Sequence, residues 1–165
     1  MKLYGSLQNR LLEGNQFVKE IKVGDGVTEY FYTDRQPYEV IEVKSQKNIV
    51  IIQMDCKRID DNGMSDVQNY EYISNNNNPV CELVLRNNVW YKVTEYNKKT
   101  WEECAKRDFE AGFFKTFESA YNYFKAISTL TEKQIQKIEN GGSVKKYTKT
   151  NISIGFMNKY YDYSF

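Results

Sequence analysis

The chain has 165 residues, of which 41% are hydrophobic and 27% charged, the usage of one folded domain or of a small domain carrying an insertion, and far from the composition of disordered chains. Its 23 basic residues against 22 acidic ones leave a net charge of +1, so the protein is neither a polyanion nor a general polycation, and any nucleic-acid contact has to be a local patch. It contains no histidine, and so lacks the commonest general base, the usual partner of a Ser or Cys nucleophile and the commonest zinc ligand. The composition therefore argues against an enzyme and predicts no cofactor and no metal.

Cys56, Cys81 and Cys104 are odd in number and form no CxxC pair, which predicts free thiols in a reducing cytoplasm. The longest aliphatic run, Ile49 to Ile52, is far short of the roughly 20 apolar residues that span a bilayer, and the amino terminus lacks a hydrophobic signal core. A cytoplasmic protein with no membrane partner is expected. Tyrosine supplies fourteen of the aromatic residues. Strand propensity explains that abundance, and so does a binding surface, because tyrosine gives amphipathic contact area at low entropic cost.

In chain order, Leu3, Leu7, Leu11 and Leu12 recur at helical spacing before Gly14 and predict a helix over residues 2–13. Val23-Gly24-Asp25-Gly26 reads as a turn, since it precedes a strand and does not open a helix as a phosphate cradle would. Strands follow at Val27 to Tyr32 and Tyr38 to Val43, the second only approximately alternating. A long strand is expected from Asn48 to Ile59, closed by a tight hairpin turn at Asp60-Asp61-Asn62-Gly63, with Tyr70 to Ile73 pairing back. Asn75 to Pro79 is a polar loop, and Val80 to Arg86 and Val89 to Glu95 are strands about an Asn87-Asn88 turn.

After Tyr96 the period changes. Thr100 with Glu103 forms a capping box for a helix that carries Trp101, Cys104, Ala105 and Phe109 on one face and stops at Gly112. A second helix starts near Thr116 with Phe117, Ala120, Tyr121 and Phe124 on one face, and a third starts with the pair Thr131 and Gln134 and ends at Gly141-Gly142. Strand returns at Asn151 to Met157, and the aromatic end Tyr160-Tyr161-Asp162-Tyr163-Ser164-Phe165 reads as a packed terminal strand. The predicted class is α+β: a small, strongly curved antiparallel sheet or barrel over residues 1–97 and 143–165, SH3-like topology being one candidate, with an N-terminal helix and a three-helix insertion over residues 98–142.

Asp55, Asp60, Asp61 and Asp66 crowd one hairpin, but their spacing does not reproduce an EF-hand loop, and a solvated turn is the better reading. Asp34 and Arg35 suit a recognition site in a loop or a structural ion pair. Gly112-Phe113-Phe114-Lys115-Thr116-Phe117 places phenylalanines beside a lysine between two helices, where core packing competes with base stacking. Lys115, Lys125, Lys133 and Lys137 would hold phosphates in the second case, and a nucleic-acid-binding module is the alternative function.

Several segments resemble a widespread family of small phage and prophage proteins of unassigned function. They are Thr33-Asp34-Arg35, Tyr38-Glu39-Val40-Ile41-Glu42-Val43, Ile59-Asp60-Asp61-Asn62-Gly63-Met64-Ser65-Asp66 with Gln68 and Tyr70, and the closing Tyr160-Tyr161-Asp162-Tyr163-Ser164-Phe165. The likeness covers residues 20–93 and 147–165, omits the helical stretch, and has Gln36-Pro37 where a His-small pair is expected. Residues 112–117, with Trp101 and Cys104, also resemble the small hybrid-binding module at the amino terminus of some ribonucleases H. The phage resemblance implies a non-enzymatic accessory protein of the host cytoplasm, a stoichiometric inhibitor of a bacterial defence protein such as a CRISPR nuclease. The partner-binding residues expected are Phe113, Phe114, Lys115, Lys125, Asp34, Arg35, Tyr160 and Tyr161.

Overall fold

The computed structural model describes residues 20–65 and 67–163. The helix expected over residues 2–13 lies outside them. The chain is α+β and divides into two compact units, Met1–Val93 with Thr148–Phe165, and Thr94–Tyr147. The division falls inside two strands, a few residues outside the range 98–142 marked by the change of period. Among the described residues no helix is long and apolar enough to cross a membrane.

The first unit is built on strands β1 (Gly26–Tyr30), β2 (Arg35–Ser45), β3 (Asn48–Gln53), β4 (Asp55–Arg58), β5 (Tyr70–Ile73), β6 (Val80–Arg86) and β7 (Val89–Asn97), to which the end of the chain returns with β8 (Ser143–Thr150) and β9 (Ile152–Ile154). Seven strands form one sheet in the order β8-β7-β6-β3-β2-β1-β9, and β4 pairs with β5 alone. The two edges, β8 and β9, are joined through the single residue Asn151. Consecutive Cα atoms lie only ~3.8 Å apart, so the sheet is strongly curled. Ile21, Val27, Val40, Ile49, Ile51, Leu83, Trp90, Ile152 and Ile154 fill its concave side.

Local chemistry explains both agreements and departures. Asn87 and Asn88 take φ of 50° and 60°, the left-handed pair that a two-residue hairpin between β6 and β7 requires. The imperfect alternation of β2 is a bulge: the register shifts between Val40 and Glu42, leaving Ile41 turned to solvent. The strand expected to run unbroken from Asn48 to Ile59 breaks at Met54. There its neighbours are Pro37 of β2 and Pro79 ahead of β6, neither of which has an N–H to donate, although their carbonyls receive Met54 N and Gln53 N at 3.1 Å. Past that point β4 leaves the main sheet and pairs only with β5.

The turn expected at Asp60 to Gly63 is instead a longer loop, because the last β4–β5 pair is Arg58 with Tyr70. Asp60 organises it by receiving the Arg58 guanidinium at 2.8 Å and the N–H groups of Asn62 and Asn69 at 2.9 and 2.6 Å. These bonds hold its carboxyl well below the usual carboxylate range. Asp55 receives the side-chain amides of Asn78 and Asn75, which lower its carboxyl in the same way.

The second unit carries α1 (Lys98–Glu110), α2 (Phe117–Ile127) and α3 (Glu132–Glu139). The cap of α1 is Asn97 and not Thr100: the Asn97 Oδ1 receives both Thr100 N and Thr100 Oγ1 at 2.9 Å. Thr116 and Ser119 cap α2 reciprocally, and Gln134 Oε1 reaches back to Thr131 N at 2.9 Å at the start of α3. Trp101, Ile138 and Val144 form the core, with Tyr96, Tyr121, Phe124, Leu130 and Ile135 packed on it. Phe109, on the same helical face as the buried Trp101 and Ala105, is itself 41% exposed. The strand after α3 begins at Ser143, directly behind Gly141-Gly142, and not at Asn151.

Candidate functional site

In the helical unit the turn between α1 and α2 presents Phe113 outward, 76% exposed. The turn is fixed: Gly112 takes φ of +79°, its N–H reaches Phe109 O, and Phe113 N reaches Asp108 O, both at 3.0 Å. Phe114 lies against Tyr123, ring centroids 5.2 Å apart. Tyr123 and Ile127 follow each other one turn apart along the flank of the buried stripe of α2, each about half exposed. Phe113, Tyr123 and Ile127 are thus exposed groups on this flank, with the half-buried Phe114 packed on Tyr123 and the exposed Lys115 next to it in the chain.

Lys125, expected on the same surface, turns the other way. Its Nζ binds Glu139 Oε1 at 2.8 Å and lies 5.8 Å from the centre of the Tyr121 ring, so its charge is taken up within the unit. The Lys125 ammonium lowers the Glu139 carboxyl. Burial, and then the Glu139 charge and hydrogen bond, push the Tyr121 phenol up to about 12. An acid whose pKa is raised on folding adds stability that is fully present below its unfolded value of ~10 and is lost as pH rises through the folded value. In an alkaline titration followed at 295 nm, Tyr121→Phe should therefore remove one phenol that ionises near pH 12. Loss of only an ordinary phenol near pH 10 would contradict the placement.

In the first unit the structure brings Asp34, Arg35, Tyr160 and Tyr161 together, but against one another. Arg35 and Tyr160 form a β-bridge, with Arg35 N donating to Tyr160 O at 3.0 Å, and the Arg35 guanidinium lies 5.4 Å from the centre of the Tyr160 ring and 5.7 Å from that of Tyr30. Asp34 Oδ1 receives Asp162 N at 2.9 Å. Gln68 grips Tyr161 from both sides of its backbone, donating to the carbonyl at 2.6 Å and receiving the N–H at 3.1 Å. Over its described part, residues 160–163, the aromatic stretch is therefore no strand but a segment held mainly by side chains. Gln36, at the expected His position, receives Lys159 Nζ at 2.9 Å.

A third cluster gave no signal in the sequence. Glu29 of β1 is 4% exposed and receives Lys92 Nζ at 2.6 Å, Thr150 Oγ1 at 2.7 Å and Tyr38 Oη at 3.0 Å. Its partners come from β7, β8 and β2, so no spacing along the chain could reveal it. Burial and the Glu29 charge drive the Tyr38 phenol upward. Burial likewise raises the thiols of Cys56 and Cys81, leaving both weak nucleophiles. Compared with protein-family models, curated proteins and solved structures, the chain matches none.

Proposed function

We propose that the chain is a non-enzymatic binding protein that acts by stoichiometric association, using the outward aromatic flank of its helical unit. The observation that supports this reading is the rigidly held, 76% exposed Phe113 next to Phe114, Tyr123 and Ile127. Large apolar side chains clustered on a surface mark interaction sites, and aromatic anchors carry much of the energy of protein interfaces. A turn already fixed by its hydrogen bonds loses little entropy when such an anchor is engaged. The partner class in this proposal, a bacterial defence protein such as a CRISPR effector nuclease, is what the resemblance to phage proteins implies.

The experiment is affinity capture of the tagged chain from a bacterial lysate containing CRISPR and other defence proteins, with and without nuclease treatment. One nuclease-resistant protein at fixed stoichiometry is expected, and Phe113→Asp should weaken its capture by a factor on the order of 30, as loss of an interface anchor does. Recovery of nuclease-sensitive material alone would move the function to nucleic-acid binding, with Phe113 and Phe114 stacking bases beside Lys115.

A further inference from the structure

The segment Lys159 to Tyr163 is held as a bound peptide would be. All four backbone N–H groups of residues 159–162 are received: by Tyr72 Oη at 3.0 Å, by the carbonyl of Arg35 at 3.4 Å, by Gln68 Oε1 at 3.1 Å and by Asp34 Oδ1 at 2.9 Å. The carbonyls of Tyr160 and Tyr161 accept from Arg35 N and Gln68 Nε2. Three of these four N–H acceptors are side-chain atoms of residues that lie far from the segment in the sequence. A side-chain amide that takes both the N–H and the C=O of one residue reads an extended backbone whatever its side chain.

Selectivity comes from two guanidinium groups. Arg35 lies over the ring of Tyr160 at 5.4 Å. Arg58, itself fixed by Asp60, lies over the ring of Tyr163 at 5.7 Å and donates to its hydroxyl at 2.8 Å. An open groove of about 420 Å³ adjoins the start of the segment, between Ile59, Gln68 to Tyr70 and Tyr72 on one side and Met157 to Lys159 on the other.

We propose that this channel is a peptide-binding site occupied by the chain's own C-terminal segment, and that it accepts in trans an extended segment of a partner protein bearing tyrosines three residues apart. The occupant follows from the one the channel holds. Its backbone is read by Gln68, Asp34 and Tyr72, and its tyrosine pair by Arg35 and Arg58. In cis the segment competes at the high effective concentration of a tethered ligand, on the order of millimolar, so trans binding requires its release. The site lies in the sheet unit and is independent of the aromatic flank of the helical unit.

The test uses full-length protein and a fluorescent synthetic peptide with the sequence of residues 158–165. In the variant Tyr161→Pro/Tyr163→Ala, the resident segment loses the N–H that Gln68 receives and the ring that Arg58 covers. The peptide should bind this variant at least tenfold more tightly than it binds the intact chain, and addition of Gln68→Ala should remove at least tenfold of that affinity. Equal binding to all three proteins, or no binding to the released variant with its fold intact, overturns the proposal. Should the variant not fold, the same peptide is titrated into the intact chain to millimolar concentration: movement of the Gln68 side-chain amide resonances supports the proposal, and unmoved resonances overturn it. Dimers of the intact chain that the peptide dissociates would give the channel to a second copy and overturn the assignment to a partner.

Discussion

Lys92→Met should cost the fold about 3 kcal/mol, because it leaves the Glu29 carboxylate buried without its counter-ion. Glu29 retains the hydroxyls of Tyr38 and Thr150, but two neutral hydrogen bonds do not replace an ammonium at 2.6 Å. The Lys92 side chain is 27% exposed, which places the effect at the lower end of what breaking a buried pair produces. In chemical denaturation the midpoint should fall with the slope unchanged. The double variant Lys92→Met/Glu29→Gln should recover more than half of the loss, since a neutral amide needs no counter-ion and still accepts from Tyr38 or Thr150. A loss below about 0.5 kcal/mol for the single variant would mean that Glu29 does not depend on Lys92.

The second large effect belongs to Gly26. A Cβ at this position would stand 2.7 Å from Met157 Cγ and 2.8 Å from both Met157 N and Phe156 C. Two of these three atoms are backbone, so the strain cannot be relieved by turning a side chain. Gly155 N is bonded to Gly26 O at 2.8 Å, and Thr28 Oγ1 to Phe156 O at 2.9 Å, so the segment cannot simply move away. Gly26→Ala should destabilise the first unit by about 2–3 kcal/mol, the usual scale for forced overpacking. It should also raise amide exchange over residues 157–162 before the rest of the unit, because the clash bears on the chain where the bound segment begins. Unchanged exchange there would show that the segment is held independently of β1.

Much of the architecture was legible where one property decides structure. The period-two runs gave β1, β6 and β7, the Asn87-Asn88 pair gave its hairpin, and the 3.6-residue period gave the three helices. The misreadings fall where two elements compete for one stretch. Asn97 displaced Thr100 as the cap of α1 because its amide oxygen sits one turn ahead of a free N–H, a geometry that Thr100 with Glu103 only imitates in the sequence. The break at Met54 follows from prolines on two other strands, which become neighbours only once the sheet is assembled.

The candidate sites were legible to different degrees for the same reason. Phe113, Phe114 and Lys115 adjoin in the chain, and the outward place of Phe113 follows from the turn after α1. Lys125 is four residues from Tyr121, yet its partner Glu139 lies on the next helix and draws it inward. Asp34 and Arg35 stand out in the sequence as a charged pair, but in the fold they hold Asp162 and Tyr160. The Glu29 cluster, assembled from four strands, had no local signature at all.

Hydrogen–deuterium exchange of the chain alone and in complex with the protein it captures would locate the interface. Association through the aromatic flank predicts slowed exchange confined to residues 109–127, with Phe113→Asp abolishing the protection. Protection centred on the sheet unit, or a complex that Phe113→Asp leaves at full strength, would contradict it.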